Sequence, residues 1–172
     1  MTPTRWKPAV TVAAVIEQGG RFLLVEEDTS EGVRWNQPAG HLEPGESLLD
    51  AVARETLEES AHPFVAEGLL GIYLAEGDTT FLRFAFVGTV GQPLAQPLDA
   101  GIRRAFWASA DEVRAHPERH RSDFVMRCID DYLRARQLRR PWLPFEALAY
   151  LGPDAASRVD SVTLTSKART QS

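Results

Sequence analysis

"GHLEPGESLLDAVARETLEES", Gly40 to Ser60, is the stretch whose reading decides the fold. Its second half repeats apolar residues at helical spacing. Ser47, with Asp50 three residues on, forms an N-cap pair in a box-like relation. Pro63 disfavours helical geometry at His62, so a helix that opens at Ser47 ends near residues 60–62. Stepping about 100° per residue from Leu48 gathers Glu55, Glu58 and Glu59 into one arc of roughly 100°. Val52, Thr56, Leu49 and Ala53 run alongside, from roughly 40° to 140°. An apolar stripe for a core therefore borders a carboxylate stripe at that core's edge.

Three glutamates on one arc repel one another. At an effective dielectric of about 20, two carboxylates about 5 Å apart repel by about 3 kcal/mol. A divalent cation among them removes that cost, and oxygen-only ligation with several waters retained suits Mg2+ or Mn2+. The same spacing also describes a solvated acidic helix face. The preceding loop favours a site: "PAGHLEPGES" holds two glycines and two prolines, which makes it a shaped turn. Gly40 lets the backbone come close to a ligand and offers its carbonyl as a further metal ligand.

Outward from the helix the chain alternates strands and turns. "AVTVAAVI" (9–16) is β-rich and nearly all apolar, the pattern of a strand buried on both faces. Gly19-Gly20 marks a hairpin turn into "RFLLVEE" from Arg21, and "DTSEGVR" (28–34) is a polar loop. Strand-like runs follow at 68–75, 80–90 and 102–108. Phe124, Val125, Cys128, Ile129, Tyr132 and Leu133 form an apolar stripe, so 122–136 reads as a second amphipathic helix. The fold class is α/β, a layered domain with a mixed sheet.

The 172 residues are enough for one domain with a real core, and 44% apolar with 25% charged composition excludes wholesale disorder. A net charge of −5 makes nucleic acid and anionic membranes poor default partners. Cys128 is the one cysteine, so no internal disulfide forms. The apolar run near the N-terminus is too short for a membrane span, and the expected location is the cytoplasm. Residues 1–152 read as the domain and 153–172 as a polar, flexible tail.

Gly40, five residues, Glu46, seven residues, Arg54-Glu55 and then Glu58-Glu59 resemble the Nudix box, G-x5-E-x7-R-E-U-x-E-E-x-G-U, where U is bulky and apolar. Thr56, Ala61 and His62 depart from the first U, the second glycine and the last U. None of the three removes an acid, although alanine is a poor occupant of the left-handed turn expected at 61. "TVAAVIEQGGRFLLVEE", "WNQPAGHLEPGESLLDAVARE" and "FLRFAFVG" further resemble the NudJ-type phosphatases within that family, over roughly residues 8–140. The resemblance implies an α/β/α sandwich with a mixed central sheet. It implies hydrolysis of nucleoside di- and triphosphates, thiamine pyrophosphate or its pyrimidine pyrophosphate precursor. Other diphosphates (a dinucleotide, ADP-ribose or a nucleotide sugar) are the alternative substrates, and a non-catalytic nucleotide-sensing module is the alternative class. The partner expected is a small-molecule diphosphate, with the chain a monomer or homodimer.

The resemblance also assigns roles. Glu58 and Glu59 bind metal, with Glu59 the principal ligand, and Glu55 is a further ligand or the base that activates water. Arg54 orients a glutamate, and Glu46 fixes Arg54. Outside the box, Trp35 is read either as a platform stacking on a substrate ring or as a core plug. Arg83, mid-strand in an apolar run, reaches a phosphate or a structural acid. Asp99 reads as a turn aspartate, with a late metal ligand as the other reading. His41 reads as structural or solvated, and Cys128 as core rather than nucleophile.

Overall fold

The computed structural model describes residues 6–140 and 142–143. The expected domain boundary at 152 and the tail from 153 lie outside the described residues.

Seven strands form one mixed sheet: β1 (Ala9–Gln18), β2 (Arg21–Thr29), β3 (Gly32–Asn36), β4 (Ala39–His41), β5 (Phe64–Ala75), β6 (Phe81–Val90) and β7 (Ile102–Ser109). The main path runs β3-β2-β1-β6-β5, with β4 beside β1 and β7 beside β2. Among the seven described strands, β1 and β6 pair in parallel and every other pair is antiparallel. Gly19 and Gly20 both take positive φ, which makes the tight β1–β2 turn.

The polar stretch 28–34 is only partly a loop. β2 continues to Thr29 and β3 starts at Gly32, so the turn between them is short. Thr29 holds it, its hydroxyl donating to the Gly32 carbonyl (2.6 Å) and accepting the Glu31 N–H (3.1 Å). Hydrophobic alternation cannot reveal such a hairpin when its strands are this polar. β5 begins at Phe64, four residues earlier than its apolar run indicates.

Helix α1 (Leu48–Ser60) covers one face of the sheet, and α3 (Phe124–Gln137) the other. Ala51 and Val52 of α1 pack with Val12, Ala14, Ile16 and Phe86. Val125, Cys128, Ile129 and Tyr132 of α3 pack with Val15, Phe22, Leu24 and Val87. The odd and even residues of β1 thus feed separate cores, which is why that strand is apolar throughout. A short helix α2 (Ala110–Arg114) and a 3-10 turn (Pro117–Arg119) lead into α3. Among the described residues no helix is long and apolar enough to cross a membrane.

Two details of α1 follow from its departures in sequence. The Thr56 hydroxyl, buried where a bulky apolar residue is usual, donates to the Val52 carbonyl at 2.7 Å. Ala61 ends the helix in the left-handed region (φ 59°, ψ 8°), donating its N–H to the Leu57 carbonyl.

β1 holds the key to the cleft. It pairs with β2 only at Glu17–Phe22 and Gln18–Arg21 beside the hairpin. Farther along, Thr11, Val12 and Ala13 pair with β4 instead. The sheet therefore parts between β1 and β2, and the space between is flanked by the C-terminal half of α1 and the start of α3.

Candidate active site

A cleft of about 740 Å³ fills that parting. It is lined by Glu55, Glu58 and Glu59 of α1, Gly40 of β4, Arg83 of β6 and Asp99 of the β6–β7 connection. The capping box fixes the start of α1: Ser47 Oγ accepts the Asp50 N–H at 3.1 Å, and Asp50 Oδ2 accepts the Ser47 N–H at 3.3 Å. The far end is held by the 91–99 connection. Leu94 N–H donates to the Ala61 carbonyl (2.8 Å), the Gln96 amide to Leu57 (3.0 Å) and Asp99 N–H to Glu58 (2.9 Å). The bonds to Ala61 and Glu58 satisfy carbonyls that a helix end leaves open, and the second brings Asp99 to the acids.

Arg54 is the hub. Its Nε and Nη2 grip both oxygens of Glu46 at 3.1 and 2.7 Å. Its Nη1 donates to Glu55 at 2.8 Å and Glu58 at 3.0 Å, and Nη2 also reaches the His41 carbonyl at 3.1 Å. Bidentate pairing of this kind orients as well as binds. It holds the Glu46 carboxyl below the usual carboxylate range, helped by the Glu43 N–H at 2.7 Å. Glu55 lies against Gly40. A Cβ placed on Gly40 would fall 2.1 Å from the Glu55 carboxyl carbon, so any side chain there must push that carboxyl aside.

Burial raises the Glu55 carboxyl above its usual range despite Arg54. Glu59 accepts the Ala39 N–H at 2.8 Å, yet burial, with the charges of Glu55, Glu27 and Asp99 behind it, pushes its carboxyl up to about 8. Glu27, on β2, is also raised by burial. Burial outweighs the arginines beside these acids, and the ligand atoms they present are all carboxylate oxygens. That chemistry fits a hard divalent cation. Arg54 draws Glu55 and Glu58 toward itself, and among the described residues no three acidic, histidine or cysteine side chains stand as a ready-made cage.

The residues singled out in the sequence separate here. Glu46, Arg54, Glu55, Glu58, Glu59, Gly40, His41, Arg83 and Asp99 come to one cleft. Trp35 is not among the residues that line it. Its indole N–H donates to Glu26 at 3.0 Å, and its ring meets Phe106 and His116 edge-on. Cys128 is fully buried in the α3 core, its thiol pushed up to about 11 by that burial. Glu27, Asn36, Thr11, Arg121 and Ser122 line the cleft with no signal in the sequence pattern. The one available cue was acidic: Glu26-Glu27 directly follows the apolar run 22–25 within β2.

The NUDIX domain family matches residues 5–128. The phosphatase NudJ of Escherichia coli K12 is 41% identical over 111 residues, 63% of this chain and 72% of that protein. A solved NUDIX hydrolase from Nitrosomonas europaea is 48% identical with a TM-score of 0.78, covering 84% of this chain and 97% of that one. A UDP-X diphosphatase structure aligns with a TM-score of 0.66 over 83% of this chain and 71% of that one, but at 20% identity it speaks for the fold alone.

Proposed function

The chain belongs to the Nudix family of hydrolases, which act on phosphate and pyrophosphate bonds, and from that premise we propose that it is a divalent-metal-dependent phosphatase for nucleoside di- and triphosphates and for thiamine pyrophosphate or its pyrimidine precursor. The observation that carries the site assignment is the Arg54 hub, which ties Glu46, Glu55 and Glu58 together beside a glycine against which the Glu55 carboxyl packs. The substrate class rests on the likeness to NudJ.

Glu55, Glu58 and Glu59, with the Gly40 carbonyl, would hold Mg2+ or Mn2+, and a metal so held polarises phosphate oxygens and lowers the pKa of water. Arg54 keeps Glu55 and Glu58 in place, and Glu46 keeps Arg54 in place. Glu55, packed against Gly40 and lining the cleft, would serve as a further metal ligand or as the base that takes a proton from the attacking water. Attack forms one bond from that water's oxygen to phosphorus and breaks the bridging P–O bond. One water proton passes to the carboxylate and on to solvent, while the other stays on the phosphate formed.

The test is phosphate release from thiamine pyrophosphate and from nucleoside diphosphates with Mg2+, Mn2+ or a chelator. Turnover is expected with either metal and none with the chelator. Much faster turnover of ADP-ribose than of these substrates would overturn the substrate class. Metal-independent turnover would overturn the metal assignment.

A further inference from the structure

We infer that the inner end of the cleft is an oxyanion seat for the unesterified terminal phosphoryl group of a diphosphate and, after hydrolysis, for free orthophosphate. The inference rests on the hydrolase reading above and adds to it a place, a set of residues and a product that stays bound.

Arg83 carries it. Its side chain lies in the middle of β6, 7% exposed, yet it lines the cleft. Its Nε and Nη1 meet no hydrogen-bond acceptor among the described residues. A buried guanidinium with idle donors is costly, and a structural arginine would be matched to a carboxylate. Glu27 and Glu59 act on Arg83 through their charge alone. Glu27 Oε1 also lacks a hydrogen bond, its contact with Arg121 Nε being an ion pair at 3.5 Å. Opposite charges that share a chamber without bonding leave a gap between them.

The walls of that gap are polar and equally idle. Thr11 stands directly beside Arg83 in the parallel β1–β6 register, and its buried hydroxyl has no partner among the described residues. The same holds for the Ser122 hydroxyl and the Asn36 side-chain oxygen, and both residues line the cleft. The Phe124 ring lies under the guanidinium, 4.6 Å from its carbon, and so fixes its plane. Phe124 also opens α3, whose N-terminal dipole favours an anion there. Two hydroxyls and a planar, always-charged fork suit a tetrahedral oxyanion.

The count of free oxygens explains why the group is terminal. Thr11 and Arg83 stand side by side in the sheet with the Phe124 ring against the guanidinium, and a terminal phosphoryl group brings three unesterified oxygens to these donors. An internal phosphate, esterified on both sides, brings only two. The seat thus favours diphosphates with a free end over dinucleotides and nucleotide sugars, and it presents the bond next to that end to Glu55, Glu58 and Glu59. Orthophosphate left in the seat competes with the next substrate.

The experiment titrates inorganic phosphate into the full chain without metal, by calorimetry, for wild type, R83M, T11V and E59Q. Wild type is expected to bind one phosphate saturably. R83M should bind about tenfold or more weakly, T11V more weakly than wild type, and E59Q at least as tightly. In turnover, phosphate should compete with a nucleoside diphosphate in wild type. The preference for a nucleoside diphosphate over a dinucleotide should collapse in R83M. No binding to wild type, or unchanged binding in R83M, overturns the seat even if turnover is normal. If R83M does not fold, unchanged binding in T11V, a near-isosteric change, overturns it equally. Phosphate bound without turnover of any diphosphate would instead remove the hydrolase reading and leave the seat standing.

Discussion

At the scale of single residues, the site depends on how far charge is taken from water. Glu59 is the clearest case, since its carboxyl is pushed up to about 8 from an ordinary value of 4.5, first by burial. A group whose pKa rises on folding stabilises the fold fully below its unfolded value, and that stability is lost as pH rises through the folded value. Metal-free protein should therefore lose stability between pH 4.5 and about 8, and the E59Q variant should lose markedly less. Added Mg2+ should stabilise wild type most at the alkaline end, where the carboxylate is charged. A pH series of melting temperatures with and without Mg2+ checks both, and parallel curves for wild type and E59Q would sink the argument. E59Q should also lose turnover by several orders of magnitude while keeping its fold, because a glutamine oxygen can still accept the Ala39 N–H. Gly40 makes a second test. A methyl group there must displace the Glu55 carboxyl from 2.1 Å, so G40A should cut kcat/KM by about a hundredfold. Its stability cost should stay within about 1–3 kcal/mol, as for other overpacked sites. A G40A variant with normal kcat/KM would show that Glu55 does not need its present position. The acids themselves were legible in the sequence because helical spacing is a local property. Their states were not, since burial and partners come from distant strands.

At the scale of elements, local pattern reached as far as hydrophobic periodicity carries. α1, α3, β1, β2 and the cores of β5, β6 and β7 were legible because each buries an apolar face. β3 and β4 were not. Trp35 and Asn36 sit in a polar hairpin, and Ala39–His41 is three residues long, too short to show a period. The end of α1 brings a conflict between sequence and geometry that stability can measure. Ala61 holds φ 59°, where a β-carbon costs about 1–2 kcal/mol, because the chain must turn there toward Pro63 and β5. Glycine removes that strain but is freer in the unfolded chain. A61G should accordingly be more stable by about 0.5–1 kcal/mol, read from denaturant midpoints at constant slope. Its activity should stay near wild type, since Leu94 and Gln96 hold the same helix end through backbone carbonyls. A destabilised A61G would mean that the packing of the buried methyl group outweighs the backbone strain.

At the scale of the whole molecule, the cleft exists because one strand changes partners. β1 joins β2 at two residue pairs near the hairpin, then gives its other edge positions to β4. Val12 pairs with Gly40 and Ala13 with Ala39, which brings the loop before α1 onto the sheet. From the other side come Glu27 and Asn36, and from the approach to α3 come Arg121 and Ser122. No window of sequence contains these groups together, so no local pattern could announce Glu27 or the idle hydroxyls of Thr11 and Ser122. Asp99 looked like a turn residue and is one: its N–H caps Glu58 while its position faces the acids. The half of the sheet carrying β1, β4, β5 and β6 hydrogen-bonds to the half carrying β2, β3 and β7 only at the hairpin pairs Glu17–Phe22 and Gln18–Arg21, among the described strands, so the mouth between them has no sheet ladder across it. A ligand that touches both walls must brace it. With Mg2+ and a methylene-bridged diphosphate at about a hundred times its Kd, global stability should rise by about 2.7 kcal/mol. Amide exchange should slow beyond that global gain at Thr11–Ala13, Ala39–His41, the last turn of α1 and residues 121–124, while the outer edge of β5 changes least. Exchange measured residue by residue separates this from simple ligand stabilisation. Protection confined to α1, with β1, β4 and the approach to α3 unmoved, would show that substrate binds at the acids without entering the parting of the sheet.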